Sequence, residues 1–185
     1  MIEFVDKIYR AKDFQFDERF IDTRSVIEQT TSLLRVNKTS AATRLFLKNF
    51  LGKTDFTGYG RDLTKLWDRV SKKPLSQTLE LLELAIQDAL KSVHTFSAKD
   101  LSDMCKILKR AEQNGRPVDA DFKIYISNFL LIMAEQLLES NLPNECFKFI
   151  KLFKGFDVPP DEKFYRLAAE ANKILNRRKI FEQEN

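Results

Sequence analysis

The chain has 185 residues, 31 % of them charged and 43 % hydrophobic, and it carries a net charge of +4 with a pI of about 9.0. This composition excludes a disordered chain, and no apolar run reaches the ~20 residues that a membrane span requires. The mildly basic charge permits a nucleic-acid partner without requiring one. The sequence contains only five Gly and five Pro but sixteen Phe, and this composition favours packed helices over a loop-rich β fold.

Apolar residues at helical spacing predict nine helices. They are expected at 2–12, 19–36, 41–51, 61–72, 75–93, 96–115, 119–140, 141–155 and 161–178. Because the connections are short, sequential helices are expected to pack antiparallel. The prediction is an all-α protein of antiparallel helical hairpins, stacked as a short solenoid or as an irregular bundle. It is a single domain over 1–185, with an N-terminal extension at 1–18 and a polar tail at 179–185.

The stretch 96–115 carries its own start and stop signals. Ser97 is in the N-cap position, and Asp100 follows three residues later, near the position of a capping-box acid. Asn114-Gly115 supplies a left-handed stop, and Pro117 prevents continuation of the helix. The apolar stripe between these signals consists of Leu101, Met104, Cys105 and Leu108.

This helix resembles an earlier stretch of the same chain. Residues 61–72 read RDLTKLWDRVSK and residues 99–110 read KDLSDMCKILKR, at an offset of 38. A weaker third copy, NECFKFIKLFK, occupies 144–154 at an offset of 45 from the second. Self-similarity at such a period indicates a helical-repeat architecture. The alternative is that two amphipathic helices align this well by their apolar spacing alone.

Paired helices with a [KR]-D-L-[ST] start resemble the heptatricopeptide and octotricopeptide helical repeats of organellar RNA-associated proteins. FSAKDLSDMCKIL is the closest segment and GRDLTKLWDRV the second, and the resemblance covers residues 58–175. It implies a solenoid-like scaffold that binds RNA or belongs to a ribonucleoprotein or another large assembly, often in an organelle.

The repeated helices end in basic residues, and another basic cluster ends the last helix. If the helices stack in register, these ends form a ridge that could follow a phosphate backbone. The alternative is that the cations complement helix C-termini and solvate a surface. The candidate RNA-binding residues are Lys72, Lys73, Lys106, Lys109, Arg110, Lys148, Lys151, Lys154, Arg177 and Arg178.

Signatures of an enzyme are weak in this sequence. The loop TDFTGYG at 54–60 lacks the strand and the GK[ST] of a phosphate-binding loop, so it reads as an inter-helix connection. His94 is the sole histidine, so a metal site with two histidines is excluded. Glu80 and Glu83 are expected on an exposed helix face, and Cys105 on a buried stripe. We therefore expect no enzyme activity, no cofactor, no metal and no small-molecule substrate.

The sequence supports a non-catalytic helical-repeat subunit of a large organellar RNA–protein assembly, with a mitochondrial ribosome as the leading candidate. Basic ridges would contact rRNA, and aromatic faces would contact neighbouring proteins. The alternative is a protein-only scaffold or adaptor subunit of a respiratory or ATP synthase complex, with an exposed apolar patch that includes Phe14, Phe16 and Phe56. The localisation is expected to be mitochondrial, otherwise cytoplasmic. The first twenty residues lack the apolar centre of a secretory signal.

Overall fold

The computed structural model describes residues 22–51, 53, 55–156 and 158–183, with side chains described as far as 177. Every secondary-structure element in these ranges is an α-helix, as the low Gly and Pro content predicted. The helices are α1 (Thr23–Arg35), α2 (Thr39–Phe50), α3 (Gly60–Ser71), α4 (Gln77–Lys91), α5 (Ala98–Gln113), α6 (Ala120–Glu139), α7 (Pro143–Phe153) and α8 (Glu162–Gln183). They correspond to eight of the nine predicted helices. The ninth, at 2–12, and the extension at 1–18 lie outside the described residues.

Contacts within the chain divide it into two compact units, Met1–Thr95 and Phe96–Asn185. Each unit contains four of the described helices and its own buried apolar core. The single-domain organisation stays a prediction. In the described residues, no helix combines the length and apolar character needed to cross a membrane.

In the first unit, each helix packs on two others. α1 contacts α2 and α3, and α4 contacts α2 and α3. The core contains large side chains with 6 % exposure or less: Phe46, Phe50, Phe56, Leu63, Trp67 and Leu82. Phe50 meets Phe46 and Phe56 edge to face, with centroid distances of 4.5 and 4.9 Å. Aromatic rings thus fill the spaces between these helices, as the high Phe content predicted.

In the second unit, α6 is the central helix and contacts α5, α7 and α8. α7 also packs on α8, where the rings of Phe153 and Phe164 lie 4.9 Å apart. Because α6 has neighbours on several sides, its apolar residues extend around much of its circumference. The fully buried members are Phe122, Ile126, Leu130 and Ala134.

The helix ends confirm the capping signals at α5. The Ser97 hydroxyl oxygen accepts a hydrogen bond from the backbone N–H of Asp100 at 3.1 Å and donates to the Asp100 carboxylate at 2.6 Å. At the other end, Gly115 adopts a φ of +63°, a left-handed conformation that a residue with a Cβ rarely accepts. Cap and stop therefore bound α5 as the sequence predicted.

Two predicted boundaries were wrong. The helix expected from residue 19 begins at Thr23, because Asp22 is extended (ψ 156°) and its side chain accepts a hydrogen bond from the Ser25 N–H as an N-cap. The last helix, expected to end at residue 178, continues to Gln183. No Gly or Pro occurs in that extension, so nothing in its sequence interrupts the helix.

Candidate nucleic-acid interface

The similar segments of α3 and α5 share buried apolar positions. Three pairs of equivalent residues are at most 1 % exposed: Leu63 and Leu101, Leu66 and Met104, Val70 and Leu108. The polar equivalents differ, since the Thr64 hydroxyl is buried and donates to the Gly60 carbonyl at 2.7 Å, whereas Ser102 is half-buried. The match thus reflects a common apolar stripe with separate polar roles. Membership of a repeat family stays a prediction.

Three of the candidate basic residues form ion pairs within their own helical segment. The pairs are Lys72 with Asp68 at 2.5 Å, Lys106 with Asp103 at 3.0 Å, and Lys148 with Glu145 at 2.6 Å. The lysine side chains are 58–70 % exposed. Exposed pairs of this kind contribute about 0–1 kcal/mol, so a phosphate group could replace the carboxylate at little cost. Pairing therefore leaves these three lysines available to a polyanion.

Three further candidates contact uncharged side chains. They are Lys73, whose ammonium donates to Asn37 Oδ1 at 2.7 Å, Lys151, which lies 5.9 Å from the Phe147 ring centroid, and Lys154, which lies 5.8 Å from the Phe164 ring centroid. The ring faces attract the ammonium groups weakly at exposed sites. The ring contacts orient Lys151 and Lys154 without neutralising their charge.

The remaining candidates differ in accessibility. Lys109 and Arg177 are exposed and have no bonded partner among the described residues, whereas Arg110 is half-buried. Arg178 belongs to α8, but its side chain lies outside the described set. Lys109 and Arg177 are thus the candidates that are most open to an external ligand.

The candidate residues are distributed over both compact units. Lys72 and Lys73 belong to the first unit, and the others belong to the second. Within the second unit, Lys154 lies over Phe164 near the start of α8, while Arg177 lies thirteen residues further along that helix, roughly 20 Å away at 1.5 Å per residue. Lys154, at the end of α7, and Arg177 therefore lie beside or on different parts of α8. A continuous basic ridge stays a prediction.

A basic groove between α1 and α3 was missed by the sequence analysis. It encloses about 400 Å³ and is lined by Arg24, Ile27, Glu28, Thr31, Ser32, Arg35, Asp62, Lys65 and Arg69. Its cations are spread over two helices that are separated by α2 in the sequence, so no single segment shows them together. The available signal was the polar spacing of α1, where Arg24, Glu28, Ser32 and Arg35 recur about once per turn.

An acidic groove lies between α6 and α8 in the second unit. It encloses about 390 Å³, and its charged lining residues are Glu135, Glu139, Arg166 and Glu170. A hydrogen bond from Lys163, with its charge and that of Arg166, holds the pKa of Glu135 below the usual range. This groove carries the opposite charge from the α1–α3 groove and does not suit a phosphate ligand.

Three side chains that bear on the enzyme and adaptor interpretations are buried. Glu83 was expected on an exposed face, but it is fully buried because α4 packs on both α2 and α3. Burial raises the pKa of the Cys105 thiol to about 12, whereas a nucleophilic thiol needs a lowered pKa. Phe56, expected in an exposed apolar patch, is 1 % exposed. Phe14 and Phe16 lie outside the described residues.

Metal-ligating side chains are dispersed over the part of the chain that the structure describes. No group of three or more His, Cys, Asp or Glu residues in that part has a geometry that could hold a metal ion. His94, the only histidine, is exposed.

Comparisons with family models, with curated proteins and with solved structures find no match for this chain.

Proposed function

We propose that the protein is a non-catalytic helical subunit of a large organellar RNA–protein assembly, with a mitochondrial ribosome as the leading candidate. The observation that supports it best is a set of exposed lysines on α5 and α7, Lys106, Lys109, Lys148 and Lys151. Lys106 and Lys148 are held by exposed ion pairs, Lys151 contacts the Phe147 ring, and Lys109 has no bonded partner among the described residues. Such cations bind phosphates by releasing condensed counterions, independently of sequence.

The mechanism is surface complementarity rather than chemistry. Lys106 and Lys109 lie on consecutive turns of one exposed helix surface, and Lys148 and Lys151 repeat this three-residue spacing on α7. Each set offers phosphate contacts one turn apart, about 5 Å along the helix axis. Backbone contacts of this type position a protein on folded RNA without reading its bases.

A protein-only scaffold in a respiratory or ATP synthase complex is the second candidate. The observation that favours it is exposed apolar surface on α6, where Ile124 and Ile132 are 50 % and 42 % exposed about two turns apart. Large apolar side chains in such positions suit a neighbouring protein better than RNA. In this alternative, the helix-end lysines serve only to solvate the surface and complement helix C-termini.

Sedimentation of the protein from its native source distinguishes these functions. An extract at low salt is divided, one half is treated with RNase, and the protein is followed through a sucrose gradient. The RNA–protein assembly predicts a large particle that nuclease disrupts. A large particle that survives nuclease favours the protein-only scaffold, and a free monomer in both halves contradicts both functions.

A further inference from the structure

The groove between α1 and α3 runs along two parallel helices. Near their first turns, the Arg24 guanidinium lies 3.9 Å from the Asp62 carboxylate. Just beyond their last turns, the Lys73 ammonium donates to Asn37 Oδ1 at 2.7 Å. These cross-contacts join start to start and end to end, so the groove extends for roughly 20 Å at 1.5 Å per residue.

Charge is distributed unevenly along this groove. In the half near the helix starts, Arg24 and Lys65 both lie 3.9 Å from Asp62 oxygens, and Glu28 supplies a second negative charge. This half is therefore close to neutral. The half near the helix ends is lined by Arg35 and Arg69. The only acidic lining residues, Glu28 and Asp62, belong to the other half, so this half is positively charged.

Arg35 and Arg69 are available to a ligand. Neither has a hydrogen bond or an ion pair with any residue that the structure describes. The Thr31 hydroxyl, which also lines the groove, has no bonded partner in the same set of residues, while the Ser32 hydroxyl donates to the Glu28 carbonyl at 3.0 Å. Two guanidinium groups and a hydroxyl thus face one cavity of about 400 Å³.

Planar guanidinium groups bind phosphate oxygens through paired hydrogen bonds, and a hydroxyl adds a further donor. A helical acidic peptide would need apolar anchors in its groove, but the one apolar lining residue, Ile27, is only 4 % exposed. No aromatic side chain lines the groove, so it provides no surface on which bases stack. These features favour recognition of a backbone of linked phosphates.

We propose that the α1–α3 groove binds the sugar–phosphate backbone of RNA, with Arg35 and Arg69 as the phosphate-binding side chains and Thr31 as an additional donor. The inference rests on the proposed RNA-binding function, and it assigns the contact to this groove of the first unit rather than to the lysines of α5 and α7. Binding at this groove is independent of base sequence and weakens as salt is added.

The test measures the affinity of the full chain for a fluorescent oligouridylate by anisotropy over a range of salt concentrations. The variant R35Q/R69Q removes the two guanidinium groups. The matched control, K48Q/R61Q, removes two exposed charges of the same unit that lie outside the groove. A third variant, K106Q/K109Q, alters the helix-end surface. Circular dichroism verifies that every variant retains the helical content of the unmodified protein.

The groove proposal predicts that R35Q/R69Q weakens binding roughly tenfold at low salt and lowers the slope of log affinity against log salt by about 1.4, because two phosphate contacts are lost. The control changes affinity less than threefold.

Equal affinities of R35Q/R69Q and K48Q/R61Q would overturn the groove proposal, and a loss confined to K106Q/K109Q would leave the proposed function intact. No binding by the unmodified protein would contradict both. Displacement of the RNA by polyglutamate at equal charge would identify a carboxylate-binding groove and overturn the RNA assignment.

Discussion

Replacement of Leu63 by alanine tests the packing of α3 in the first unit. Leu63 is fully buried, and α3 packs on both α1 and α4, so the neighbouring side chains have little freedom to fill the space that is lost. A buried leucine replaced by alanine costs about 2–5 kcal/mol, and a closed site lies in the upper half of that range, at about 3–4 kcal/mol. Alanine has a helix propensity at least as high as leucine, so helix formation is not weakened.

Urea unfolding measures this loss. Trp67, the only tryptophan, is fully buried in the same helix, so its fluorescence reports on the first unit. With a urea dependence of about 2 kcal/mol per M, L63A lowers the midpoint by roughly 1.5–2 M. The control L75A removes a side chain that is 46 % exposed and should cost less than about 1 kcal/mol. A shift for L63A that equals the shift for L75A would refute the buried position of Leu63.

Three other variants or conditions test separate contacts. S97A removes the N-cap hydrogen bond to Asp100 and should lower the free energy of unfolding by about 1 kcal/mol, measured by circular dichroism in urea. The Cys105 thiol should resist a disulfide reagent at pH 8 until the protein unfolds, and its rapid reaction in the folded protein would contradict its burial. The free energy of unfolding should fall as pH rises from 9.0 towards 12, because in this range only the unfolded chain releases the thiol proton. Because the pKa of Glu135 is lowered, its stabilising contact with Lys163 is present above pH 4.5 and is lost as pH falls through the folded-state pKa. The variant E135Q should therefore lose less stability than the unmodified protein when the pH is lowered from neutral through this range. An equal loss in both proteins would exclude this contact.

Helix positions could be predicted where the sequence contains both a periodic apolar stripe and a local stop. α5 is the clearest case, because Ser97 caps its start and Gly115 adopts the left-handed conformation at its end. Asn37 directly follows the second predicted helix (19–36, observed as α1), and it also adopts a positive φ of 60°. These local signals depend on nearby residues only, so they can be read without knowledge of the tertiary structure.

The burial of Glu83 and the basic groove could not be predicted in the same way. Glutamate is usually found on protein surfaces, and only the packing of α4 on two neighbouring helices places Glu83 in the core. The groove requires α1 to lie beside α3 rather than only beside its sequential neighbour α2, and no local signal encodes that pairing. Lys106 and Lys148, expected at helix ends, lie in the middle of α5 and α7. Their ion pairs with preceding acids depend on side-chain conformations, which the sequence does not show.

The lysine pairs bear on how RNA binding would depend on conditions. If Lys106 and Lys148 bind RNA, each would exchange an exposed carboxylate for a phosphate, whereas Arg35 and Arg69 have no such partner to exchange among the described residues. The groove cations should therefore contribute more to affinity per charge than the paired lysines.

Ultraviolet crosslinking of the native particle tests the central claim most directly. Purified particles are irradiated and digested with protease and nuclease, and nucleotide adducts on peptides of this chain are mapped by mass spectrometry. We expect adducts on peptides of α5 and α7 around Lys106 and Lys148, and on peptides of the α1–α3 groove around Arg35 and Arg69. Particles in which other subunits carry adducts and this chain carries none would contradict direct contact with RNA.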